Sequence, residues 1–246
     1  MNQSLKGRVI AVAGATGAAG HAVVHRLARA GATVACADID ARRLDSLADS
    51  VRRAVPGATV VGQVVDLLDP QAAHDWADHI EAEHGRVDGL LHLVGGWRGG
   101  KKFMDTDLSD WDFLQDMLVR TLQHTSLGFH DALRRSDAGR FAIVSQSGAH
   151  KPTAGNAAYA AAKAASESWT LAMADSFAKL AGEEELQAAA TIFVIKALLT
   201  DEMRQAKPEA KFPGFTHVDE LADAMAELWT KPANELNGTH LWLTPR

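Results

Sequence analysis

The sequence predicts an α/β chain folded as a doubly wound sheet of seven mainly parallel strands, with helices on both faces. Three observations carry this. Short apolar runs of strand length alternate with segments of helical period along the whole chain. The first apolar run ends in a glycine-spaced turn, Gly14-Ala15-Thr16-Gly17-Ala18-Ala19-Gly20, that opens a helix. No internal repeat, low-complexity stretch or linker divides residues 1–246, so one domain is expected.

Composition limits the function classes. With 246 residues, 47% of them hydrophobic, the chain can bury one large core. A net charge of -6 without a basic cluster argues against nucleic acid and against a charged membrane surface. No apolar stretch has the length of a membrane span, and the first residues lack the apolar core of a signal peptide. Cys36 is the one cysteine, so no disulfide framework exists and a reducing, cytoplasmic setting is expected. The eleven histidines show no zinc-ligand spacing, so no metal site is expected.

Taken in order, Arg8 to Ala13 is the first strand. The helix after it has Ala22, Val23, Leu27 and Ala30 on one side and ends at Gly31. Strand, glycine turn and helix form the context of a dinucleotide site. Gly14 permits the tight turn, Gly17 lets a diphosphate approach the backbone, and Gly20 lets helix and strand pack closely. Thr16, Ala18 and Ala19 belong to the same phosphate-facing turn. Thr33 to Ala37 is the second strand, with Asp38 at its end, 18 residues beyond Gly20. A carboxylate there accepts from both adenosine ribose hydroxyls and repels a 2′-phosphate, which favours NAD(H) over NADP(H). Arg42 and Arg43 can meet a 2′-phosphate, but they read as the solvated face of the helix carrying Leu44, Leu47 and Val51.

The third strand, Ala58 to Val65, runs into Asp66-Leu67, and Pro70 opens a helix through Trp76, Ala77 and Ile80. The fourth, Val87 to Val94, leads into Gly95-Gly96-Trp97-Arg98-Gly99-Gly100. That loop lies at a strand's carboxyl end, where α/β sheets bind ligands. Trp97 can stack there on a flat heterocycle or pack against the next helix. Ser109 is the expected N-cap of a long helix through Trp111, Leu114, Leu118 and Leu122. Arg140 to Ser145 is the fifth strand, and Gln146-Ser147-Gly148 follows it. An alanine-rich helix then carries Tyr159 and Lys163 on through Trp169 and Ser176. Ala188 to Ile195 is the sixth strand, followed by a lid-like loop with Thr200, Met203, Pro208 and Pro213. Thr216 to Asp219 reads as a capping box for a helix to Trp229, and Thr239 to Leu243 is the seventh strand.

Tyr159 and Lys163 stand four apart on a helix, hence on one face. An ammonium beside a phenol lowers the phenol's pKa towards neutrality, which is expected to give a proton donor or acceptor for reducing a carbonyl or imine.

Gly14-x-x-Gly17-x-x-Gly20, Asp38, Asp66 and Tyr159-x-x-x-Lys163, in this order, resemble the short-chain dehydrogenase/reductases over essentially the whole chain. The resemblance implies a Rossmann domain in which Tyr159 moves a proton and Lys163 holds the nicotinamide ribose. It places Asp66 and Leu67 by the adenine, and Gly95, Gly96 and Thr200 along the cofactor. Two positions depart from the pattern. The motif after the fourth strand is His92-Leu93-Val94-Gly95, and the serine thirteen residues before the tyrosine is replaced by Gln146. Ser145 and Ser147 flank it as candidates for the serine's role. The chain also resembles the dihydropteridine reductase branch, which lacks that serine and has a Gly-Gly-Trp-x-Gly-Gly loop. Leu198-Leu199-Thr200-Asp201-Glu202-Met203 matches that branch as well. The expectation is an NADH-dependent reductase of a quinonoid dihydropterin, with Trp97 beside the pterin and Gln146, Ser145 and Ser147 near it. The alternatives are a reductase or dehydrogenase of another carbonyl or alcohol, and an NAD(H) sensor without turnover. The small-residue face of the Tyr159 helix implies a homodimer or homotetramer.

Overall fold

Seven strands form one sheet in the order β3-β2-β1-β4-β5-β6-β9, and every pairing within it is parallel. The computed structural model describes residues 5–245. The strands are β1 (Val9–Ala13), β2 (Thr33–Asp38), β3 (Val60–Val64), β4 (Gly89–His92), β5 (Arg140–Gln146), β6 (Ala189–Ile195) and β9 (His240–Trp242). Helices cover both faces, as a parallel sheet requires. Two burial patterns show why: all residues of β1 and of β6 are buried, so neither run could alternate with exposed polar residues. The expected fold class holds, with a fully parallel sheet.

The core lies in two layers. On one face, α1 (Ala18–Arg29), α2 (Ala41–Ala54) and α8 (Val218–Ala226) press Val23, Leu27, Leu44, Leu47, Leu221 and Met225 against the sheet. On the other, α3 (Pro70–His84), α5 (Thr121–Arg135) and α6 (Ala157–Ala181) contribute Trp76, Ile80, Phe129, Leu133 and Phe177. The strand order reverses between β1 and β4. The crevice at that switch point, outside the carboxyl ends of the strands, is where this architecture receives ligands.

Several boundaries differ from expectation. The third, fourth and seventh strands are shorter, because pairing stops where neighbours leave the ladder. Asp107, not Ser109, caps α4 (Leu108–Gln115): its carboxylate accepts from the Ser109 amide, a role Ser109 cannot fill from the second helical position. The long helix is also broken by a π-turn at Asp116–Arg120 before α5 begins. At α8 the cap is His217, whose Nδ1 accepts from the Asp219 amide. Thr216 instead belongs to a short strand, and its hydroxyl donates to the carbonyl of Leu243. That strand, β8 (Thr216–His217), pairs with β7 (Leu198–Leu199), so the expected lid is partly ordered, with α7 (Asp201–Ala206) between them.

Candidate functional site

The glycine turn is shaped by close backbone approach. Gly14 has φ +73°, and a Cβ there would lie 2.8 Å from the amide nitrogen of Val94. A Cβ on Gly20 would lie 2.4 Å from the carbonyl oxygen of Gly14. At Gly17 the nearest atom is 3.4 Å away, an ordinary contact, so this glycine leaves room on the outer side of the turn. Gly17 is the N-cap of α1 and brings no capping side chain, and the first turn holds no acidic residue. The amides of that turn are therefore open to an anion, as a dinucleotide diphosphate requires. The residues present fit a nicotinamide dinucleotide.

Asp38 closes the turn from the side. Its Oδ2 accepts from the Thr16 amide at 3.1 Å and the Thr16 hydroxyl at 2.6 Å, and its Oδ1 from the Ile39 amide. The Arg43 guanidinium donates to the Thr16 carbonyl at 2.6 Å. Arg43 therefore folds over the turn and is not a purely solvated residue of α2. Asp66 accepts from the Leu68 amide, while Leu67 is buried and its carbonyl meets His124 Nδ1 at 2.9 Å.

A cavity of about 530 Å³ lies at the switch point. Gly17, Ala18, Ala19, Gly95, Gly96, Trp97, Ser145, Gln146, Tyr159 and Lys163 all line it. Asn156, Lys196, Val144 and Ile195 line it too without a sequence signal, as do His92 and Leu198, which stand in the motifs after the fourth and sixth strands. Thr200 lines a second cavity of about 540 Å³, where it caps α7, and Gly17 and Ala18 belong to both. Ser147 does not line the first cavity. Trp97 is 63% exposed, so it is not buried under the following helix; there Arg98 lies over the Phe113 ring at 3.7 Å. The Gly100 amide donates to the Gly155 carbonyl at 2.7 Å, which ties the tryptophan loop to the approach of α6.

The expected lowering of the tyrosine pKa is corrected. Lys163 Nζ donates to the Val144 carbonyl at 2.6 Å and lies 5.8 Å from the centre of the Tyr159 ring. Burial disfavours the charged form of both groups. It pushes the Tyr159 phenol up to about 12. It also pushes the Lys163 ammonium down to about 8, against the opposing pull of the Glu167 charge. His92 is buried between Thr125 Oγ1 (3.0 Å from Nδ1) and Thr121 Oγ1 (3.3 Å from Nε2). Burial, aided by the charge of Lys163, pushes it down to about 3, so the ring is neutral.

Gln146 fills the serine position with its amide engaged. Its Oε1 accepts from the Gly148 amide at 2.6 Å, and its Nε2 donates to the Lys196 carbonyl at 3.0 Å. Ser145 is fully buried and donates to Glu167.

Residues 8–181 match the short chain dehydrogenase family model. A cyclohexanol dehydrogenase of Rhodococcus sp. strain TK6 is 27% identical over 186 residues, covering 69% of this chain and 68% of that protein. A short chain dehydrogenase of Pseudocercospora fijiensis is 30% identical over 162 residues, 65% of this chain and 52% of that one. An NADPH-bound short chain oxidoreductase of Pseudomonas aeruginosa, described as containing an atypical catalytic center, superposes with a TM-score of 0.86. It is 22% identical and covers 98% of this chain and 96% of that one, a likeness of fold.

Proposed function

The chain belongs to the short-chain dehydrogenase/reductase family, and from that premise we propose that it reduces a flat, electron-poor substrate of the quinonoid dihydropterin type. The observation that carries this reading is Gln146. A substrate carbonyl that needs polarising finds no free serine hydroxyl there, since the Gln146 amide is engaged and Ser145 is turned to Glu167. An electron-poor ring needs hydride and one proton more than it needs that hydroxyl.

A bound nicotinamide dinucleotide would supply the hydride. The turn from Gly14 to Gly20 would hold its diphosphate. Asp38 would take the ribose hydroxyls and repel a 2′-phosphate, which favours NAD(H) over NADP(H). Asp66 and Leu67 would flank the adenine, and Gly95, Gly96 and Thr200 the nicotinamide half. Tyr159 would donate the proton: a phenol held near 12 keeps its proton at neutral pH, which suits the direction of reduction. Lys163, one turn away, would position the ribose beside it. Trp97 would cover one face of the substrate.

The reading extends to assembly and place. Ala161, Ala164 and Ala172 leave an exposed small-residue face on α6, which we assign to a homodimer or homotetramer contact; sedimentation at the monomer mass would remove that assignment. Among the described residues no helix is long and apolar enough to cross a membrane. The lone cysteine supports a cytoplasmic setting. A second reading, an alcohol or ketone substrate, is favoured by the name of the Rhodococcus relative. Oxidation of NADH, and separately of NADPH, with freshly generated quinonoid dihydropterin and with cyclic ketones decides between them. Turnover on ketones alone selects the second reading.

A further inference from the structure

His150, Glu167 and His240 lie 17 and 73 residues apart in the chain and come from three segments, yet their donor atoms meet. His150 follows β5, Glu167 sits on α6 one turn beyond Lys163, and His240 opens β9. Nε2 of His150 is 3.0 Å from Glu167 Oε2, and Nε2 of His240 is 3.2 Å from the same oxygen. All three donor atoms lie within 4.8 Å of one another. Zinc bonds of about 2.0–2.1 Å in a tetrahedron place neighbouring donor atoms roughly 3.3 Å apart. The two measured separations are close to such edges.

The surroundings suit an ion as well. The other carboxylate oxygen, Oε1, accepts from the buried hydroxyl of Ser145, which leaves Oε2 for the two imidazoles. Such an outer hydrogen bond is how ligating carboxylates are oriented. The two imidazole rings stand 5.2 Å apart at 78°, so they converge on the carboxylate without stacking. Glu167 is buried while His150 is exposed, so the cluster has a path to solvent and a side left for water. Both rings thus present Nε2 to the same carboxylate oxygen.

We propose that His150, Glu167 and His240 bind one divalent ion of the zinc, cobalt or nickel class, with a position open to water. Two imidazoles and one carboxylate suit these ions better than magnesium or calcium, which prefer all-oxygen sites. The bound ion ties the segment after β5, α6 and the edge strand β9 to one another. The site adjoins the main cavity through Ser145 and through Lys163, one turn from Glu167, and the inference stands whatever the enzyme reduces.

The test is a titration of the chelator-treated full chain with Zn²⁺ against a chromophoric chelator, repeated with Co²⁺ by visible absorption. One ion per chain is expected. His150→Ala and His240→Ala should each weaken binding by more than the roughly 10–100-fold that loss of an outer partner costs. Both variants should keep NAD(P)H binding. Zn²⁺, and not Mg²⁺, should raise the melting temperature of the wild type and of neither variant. Absence of saturable binding overturns the proposal, as does binding unchanged in both variants, which would place the ion on other histidines. Should His240→Ala fail to fold, His150→Ala, on an exposed segment, decides alone.

Discussion

The hydroxyl of Ser145, fully buried at the end of β5, donates to the carboxylate of Glu167 on α6. This contact engages the one serine lining the main cavity in support of a neighbour. Ser145→Ala should leave a buried carboxylate oxygen without its donor and cost about 1–3 kcal/mol of stability, measured by urea denaturation. Turnover of the folded variant should fall by less than the roughly 10²-fold that a group assisting proton transfer contributes. Ser147→Ala should change neither. A turnover loss beyond 10²-fold at unchanged stability would make Ser145 a catalytic residue.

The glycine turn separates folding from binding. A Cβ at Gly20 would meet the Gly14 carbonyl at 2.4 Å, so Gly20→Ala should cost about 1–3 kcal/mol and abolish cofactor binding. At Gly17 the same atom meets only an ordinary contact at 3.4 Å. Gly17→Ala should therefore melt close to the wild type while binding NADH more weakly. Urea denaturation and a nucleotide fluorescence titration read both.

Two buried basic groups, His92 and Lys163, give the stability a defined pH dependence. His92 falls from 6.5 to about 3 and Lys163 from 10.5 to about 8 in the folded chain. In each interval the unfolded chain binds the additional proton, so stability rises with pH across both. Relative to His92→Asn, the wild type should gain stability from pH 3 to 6.5. Relative to Lys163→Met, it should gain from pH 8 to 10.5. Denaturant midpoints across those ranges check both signs, and a loss of stability with rising pH in either interval contradicts the burial argument.

Asp38 is the proposed selector of NAD(H). Asp38→Ala removes a like charge from the place of a 2′-phosphate, and it also removes the acceptor for Thr16. The ratio of kcat/KM for NADH over NADPH should fall about tenfold or more, an effect of about 1.4 kcal/mol. An unchanged ratio would move the selectivity to Arg42 and Arg43, which line the adjoining cavity with His21 and Ser46.

The alternation of strands and helices, the glycine turn and the shared face of Tyr159 and Lys163 were legible because each rests on short-range spacing. The fully buried β1 and β6 had to be continuous apolar runs, and they read that way. What was not legible depends on long-range geometry. Burial overrides the ammonium's effect on Tyr159, and burial is a property of the packed site. His92 reads as a departure from a motif, and only the two threonines of α5 show how it is held. The Asp107 and His217 caps were missed because several capping residues stood close together in the sequence and only backbone geometry chooses among them. The grouping of His150, Glu167 and His240 carries no local spacing at all.

The most direct test of the account is NADH consumption with quinonoid dihydropterin by the wild type and by Tyr159→Phe. Pterin-dependent turnover is predicted, falling by about 10²–10⁴-fold in the variant while NADH binding stays within twofold, about 0.4 kcal/mol. Turnover that survives the loss of the phenol, or none with the pterin beside brisk turnover on a ketone, would contradict it.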